Sequence, residues 1–148
     1  MAALKKRYYP KIAEEVYLAT LDNGMSLSII KKKGFIEKAA FLSTNFGALD
    51  NRFYIDGKLQ TYPAGIAHFL EHKLFEDDQG RDVTLDFVKL GADVNAFTTL
   101  DRTTYYFSTI DHFEESLELL LKFTSEFTSS EDTVNHGKRI IEQEINMY

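Results

Sequence analysis

Apolar and β-branched residues first gather in two short runs, 16–20 and 26–31, on either side of Asp22, Asn23 and Gly24. Turn-forming residues between two β-patterned runs predict a hairpin. Residues 39–46 read as a third strand, and 50–62, which include Gly57, as a loop. Pro63 suits the first turn of a helix, and the helix is expected to run to about residue 75. A second helix is expected over 81–90, stopped by Gly91. The stretches "ADVNAFTT" and "RTTYYFSTI" are rich in β-branched and aromatic residues and predict a pair of strands. Asp111 is placed to cap a long helix to about residue 126, and Ser129 or Ser130 to cap a last one. Strands, two helices, strands, two helices: this order predicts an α+β fold, with helices packed on one face of a largely antiparallel sheet.

A chain of 148 residues suits one domain, taken here as 1–148, with 44% hydrophobic and 14% aromatic residues marking it as globular. The net charge of -6 argues against a nucleic-acid binder, whose footprint would be basic. The clusters "KKR" (5–7) and "KKK" (31–33) read as solvated lysines flanking strands rather than a docking patch. With no cysteine, neither a disulfide nor a thiolate metal site is available. No apolar run approaches the ~20 residues of a membrane span, and no signal-type apolar core opens the chain, so the expected location is the cytoplasm.

The chemistry concentrates in "PAGIAHFLEHKLFE" (63–76). Residues four apart on a helix share a face, so His68 and His72 can close on one ion, and imidazole nitrogen suits zinc. Glu71, one position before His72, stands beside the pair without taking a ligand position, where a general base for an activated water belongs. The blander alternative is a pair of surface histidines salt-bridged to nearby acids. The apolar neighbours Ile66, Phe69, Leu70 and Leu74 make a fully solvated face the poorer reading.

A catalytic zinc normally takes a third protein ligand. His112 and His136 are candidates by residue type. In "VNHGKRIIEQEINMY", Val134, Ile141 and Ile145 form an apolar stripe with Ile140 beside it, and Glu144 points with that stripe while Glu142 turns away. A carboxylate on a buried face needs a partner, and either a zinc ion or an Arg or Lys in the same layer would serve.

H-x-x-E-H is the inverted zincin motif of the inverzincins. Together with "DGKLQTYPAGIAHFLEHKLFE", "GADVNAFTTLDRTTYYFST" and "IIEQEINMY", in that order, it makes the chain resemble the N-terminal segment of the M16 peptidases. This is the family of pitrilysin, insulin-degrading enzyme and mitochondrial processing peptidase, and the YmfH-like bacterial branch is the most similar. The resemblance implies one zinc ion held by His68, His72 and Glu144, with Glu71 activating the water. The interval from His72 to Glu144 is close to the family's usual spacing. It further implies that Asn95 and Ala96, in "VNAFT", belong to an edge strand that binds the substrate main chain as an added strand.

Two departures stand out. Many members carry another glutamate two turns before the ligand glutamate, where this chain has Gly137, followed by Lys138 and Arg139. Members also have a second, related half that closes the cleft and supplies an arginine and a tyrosine. The chain therefore reads as a partial M16 domain that works with a second M16-type half or subunit, and self-association of the fragment is expected. The expected function is zinc-dependent hydrolysis of extended peptides, with little activity in the isolated segment. The alternative is a non-catalytic zinc- or peptide-binding subunit of an M16 heteromer.

Overall fold

In the computed structural model, residues 3–77, 79–126 and Val134 are described. The chain divides into two units, Met1–Ile36 and Glu37–Tyr148. The first is a three-stranded antiparallel meander of β1 (Lys5–Tyr9), β2 (Glu14–Thr20) and β3 (Ser26–Ile30). The β2–β3 hairpin forms as the pattern predicts, closed by the Leu21 and Met25 backbones at 2.8 Å. The "KKR" cluster does not flank a strand but lies inside β1. Lys6 finds a partner on the neighbouring strand, pairing with Glu15 at 2.6 Å, while the Arg7 guanidinium lies 5.2 Å from the ring centre of Tyr9 on its own strand.

The second unit is built on the sheet β4 (Lys38–Thr44), β8 (Thr103–Thr109), β7 (Ala92–Thr98), in that spatial order and antiparallel throughout. β8 is central and buried at five of its seven positions, as a strand covered by neighbours must be. One face of the sheet, carrying Tyr105 and Phe107 with Ala40, Leu42, Val94 and Ala96, meets the helices. The other leaves an aromatic ladder of Phe41, Tyr106 and Phe97 open to solvent, with Phe41 and Tyr106 stacked at 5.3 Å. Three helices of this unit are α1 (Ile66–Leu74), α2 (Thr84–Lys89) and α3 (Phe113–Ser125). The arrangement is the α+β fold expected.

The core is aromatic. Phe87 of α2 and Phe123 of α3 meet edge to face at 5.9 Å, Phe107 lies 5.9 Å from Phe87, and Tyr105 lies 5.7 Å from Phe123. Such pairs contribute about 0.5–1.5 kcal/mol each beyond the burial of their area. Phe75, at the end of α1, joins them at 5.3 Å from Phe123 and 6.0 Å from Tyr105. The histidine-bearing helix is thereby pinned to the core at its C-terminal end.

Several boundaries differ from the sequence reading. Residues 50–62 are not a loop: β5 (Arg52–Ile55) and β6 (Lys58–Thr61) form a hairpin across Asp56 and Gly57. Both turn residues have positive φ, 49° and 74°, the conformation that makes Asp-Gly a hairpin signal. Pro63 precedes α1 instead of sitting in its first turn; Gly65 takes the cap position and the Ile66 amide reaches back to the Pro63 carbonyl at 3.3 Å. α2 starts at Thr84, later than expected, because the preceding residues close a loop on Asp77, whose carboxylate accepts the Gln79 and Arg81 amides at 3.0 and 2.8 Å. Gly91 ends it as predicted, with φ 69°. Asp111 does not cap α3; that place falls to His112 in a left-handed conformation, without a side-chain cap bond. The predicted last helix, with Ser129 and Ser130, lies outside the described residues. Among the described residues, no helix is long and apolar enough to cross a membrane.

Candidate metal and catalytic site

α1 brings two imidazoles together one turn apart. The Nε2 atoms of His68 and His72 stand 3.0 Å from each other, with ring centres 4.8 Å apart, and both residues are half-buried. Two nitrogens each about 2.0–2.1 Å from one tetrahedral zinc lie roughly 3.3 Å apart, so a small opening of the pair accommodates the ion. The donor set also fits: two neutral imidazoles are borderline-soft nitrogen ligands of the kind zinc prefers. Among the described residues, no third His, Asp or Glu joins them. His112 is at the start of α3, where its ring meets Glu115 at 3.4 Å. Glu144, His136 and Gly137 lie outside the described residues.

Glu71 is the deeper member of the motif, only 8% exposed. Its carboxylate accepts a hydrogen bond from the Thr98 hydroxyl at the end of β7. Thr98 faces Thr103 across the hairpin at 3.2 Å, and Thr103 in turn donates to the Phe46 carbonyl at 2.8 Å. Tyr105 stands close enough for its phenol to feel Glu71: burial pushes its pKa above the usual phenol range, and the carboxylate's negative charge adds to that. Beneath the motif, Lys73 is 1% exposed and paired with Glu76 at 2.8 Å. Lys73 occupies the last turn of α1, where positive charge is favoured by the helix dipole.

Asn95 and Ala96 lie on β7, opposite Tyr106 and Tyr105 of β8. Among the described residues β7 is an edge of its sheet. The Asn95 side-chain oxygen accepts the Ala96 amide at 2.8 Å, so that amide points away from β8 and toward the open edge. Sequence reasoning placed these two residues but passed over Thr98 and Tyr105. A signal for Thr98 was present: Val94, Ala96 and Thr98 alternate on the inner face of β7, so a hydroxyl two positions beyond Ala96 had to face α1.

The described residues thus bring together a helix with paired imidazoles, a buried carboxylate beside them and a strand with an open edge. The family model for insulinase (peptidase family M16) matches residues 60–148. The chain belongs to peptidase family M16. It is 45% identical to the Bacillus subtilis protein named as the uncharacterized zinc protease YmfH, over 98% of this chain and 34% of that one. A crystal structure described as that of an M16-like peptidase from Alicyclobacillus acidocaldarius superposes with a TM-score of 0.84 at 37% identity, covering 90% of this chain and 31% of that one. Pitrilysin shares the fold, with a TM-score of 0.75 at 18% identity over 99% of this chain and 16% of its own. The chain thus spans about a third of the length of YmfH.

Proposed function

We propose that this chain supplies the zinc-binding, N-terminal M16 domain of a peptidase that hydrolyses extended peptides, completed by a second M16-type half or subunit. His68, His72 and Glu144 would hold the zinc. When bound, zinc would acidify a water molecule and polarise the scissile carbonyl. Glu71 accepts the proton of the attacking water and returns it to the leaving amine. The peptide lies along β7 as an added strand, meeting the outward backbone groups around Asn95 and Ala96 by β-augmentation, once the Asn95 side chain releases the Ala96 amide.

The observation that supports this reading best is the 3.0 Å approach of the two Nε2 atoms with a buried, hydrogen-bonded carboxylate one residue away. A pair of incidental surface histidines would not require an acid held out of water by a strand from across the fold.

The test is Glu71→Gln in the peptidase assembled with its second half. An amide of nearly the same volume cannot take the water's proton, while the histidines keep their places. Zinc content should stay at the parent's level and cleavage of a quenched fluorescent peptide should fall at least ~100-fold, within the 10²–10⁴ that a general base contributes. Loss of both zinc and activity would make Glu71 structural. Zinc and peptide binding without turnover in the unsubstituted assembly would identify a non-catalytic subunit instead.

A further inference from the structure

We infer that Thr98 is a positioning residue for the reaction: its hydroxyl fixes the rotamer of Glu71, tying one carboxylate oxygen to β7 and leaving the other for the proton transfer. This deepens the proposed function and rests on Glu71 being the base. The bond links residues 27 positions apart in sequence, from the middle of α1 to the last residue of β7.

Proton bookkeeping makes the bond directional. Thr103 gives its hydroxyl proton to the Phe46 carbonyl. Thr98 is then left to give its own to the stronger acceptor it touches, the Glu71 carboxylate, and its contact with Thr103 is oxygen against oxygen. A hydroxyl-to-carboxylate bond is charge-assisted and roughly twice as strong as a neutral one. The donor itself is well seated. Thr98 is the β-branched end of a strand, paired with a Thr103 only 3% exposed, and the turn beyond it is held by the Thr99 amide on the Arg102 carbonyl at 2.8 Å.

The consequence concerns geometry. Glu71 emerges from a helix with two free torsions before its carboxylate, and burial alone does not choose among their staggered wells. The Thr98 bond chooses one. A base aimed by its surroundings reaches its water in near-attack geometry, and displacements of about 1 Å can cost up to ~100-fold in rate.

Two variants separate this role from simple packing. Thr98→Val keeps the branched shape and removes the hydroxyl; Thr98→Ser keeps the hydroxyl. On this chain, without activity as a readout, urea unfolding is measured for Thr98→Val, Glu71→Ala and the double variant. A direct bond predicts non-additive losses, with Thr98→Val costing clearly less once Glu71 is gone. In the assembled peptidase, Thr98→Val should lower kcat about tenfold, the size expected for a bond to a charged group, with KM within about twofold. Thr98→Ser should recover kcat to within about threefold of the parent. Additive unfolding losses, or a serine variant as slow as the valine one, overturn the proposal. A coupled cycle together with full activity in Glu71→Gln would leave the bond in place and overturn the base assignment beneath it.

Discussion

Gly47 lies so close to the turn after β7 that a β-carbon on it would sit 2.4 Å from the Arg102 amide nitrogen and 2.6 Å from that of Asp101. No real β-carbon approaches backbone so closely. The contact is part of a seam in which the Ala48 and Leu49 amides donate to the Thr99 and Leu100 carbonyls at 2.9 and 3.0 Å. The turn it braces joins Thr98, the last residue of β7, to Thr103, the first of β8. Gly47→Ala must push backbone against backbone, and overpacking of this kind costs about 1–3 kcal/mol. The urea midpoint should fall accordingly, and peptide turnover should fall beyond what the lost stability explains. An alanine variant of parental stability would show that the seam opens freely.

For the metal, His68→Ala or His72→Ala should each remove zinc from the purified chain, because the donors left behind cannot hold the ion against water and buffer. The parent should bind one zinc per chain, released by a chelator. Elemental analysis is decisive: full zinc in either alanine variant would place the ion elsewhere.

Beneath the motif, Lys73 and Glu76 make a different kind of pair. The lysine is almost wholly removed from water and Glu76 is 14% exposed at its side chain. Glu76→Ala deprives a buried ammonium of this carboxylate, and breaking a buried pair from one side typically costs about 3–5 kcal/mol. Replacing both, as Lys73→Met with Glu76→Leu, should recover much of that loss. Thermal unfolding of the single and double variants checks the order. Equal losses would mean that the charge pair is not the source of the cost.

The contrast between what the chain announced and what it concealed has a physical basis. The β7–β8 pair was readable because its β-branched and aromatic runs face a buried layer, and the β2–β3 hairpin because Asp22, Asn23 and Gly24 separate two β-patterned runs, although β3 itself is exposed throughout. The β5–β6 hairpin was hidden by its brevity, four residues a side, although Asp56 and Gly57 carried the turn chemistry in plain view. β1 was obscured by its own charges, which the fold leaves exposed, pairing Lys6 with Glu15 of the neighbouring strand. In the site, the spacing of His68, Glu71 and His72 is a local, helical fact and could be read directly. The Thr98 bond depends on how a strand end meets that helix, and no local pattern states the meeting distance.

The last prediction follows from Tyr105, 5% exposed and packed against Phe75 and Phe123 with Glu71 nearby. Burial raises its pKa first, since an ionised phenol loses hydration there, and the Glu71 charge raises it further. In the unfolded chain the same phenol ionises near pH 10. Above that pH the folded state therefore holds a proton that the unfolded state has released, and stability falls as pH rises. Below about pH 10 both states are protonated and the group contributes no slope. Tyr105→Phe keeps the ring packing and removes the titration. Urea midpoints from pH 8 to 11 should thus run parallel for parent and variant until about pH 10, after which the parent should fall more steeply. Other lysines and tyrosines titrate alike in both proteins and cancel in the difference. If the two curves stay parallel to pH 11, Tyr105 ionises as freely in the fold as out of it, and neither its burial nor the charge of Glu71 holds its proton.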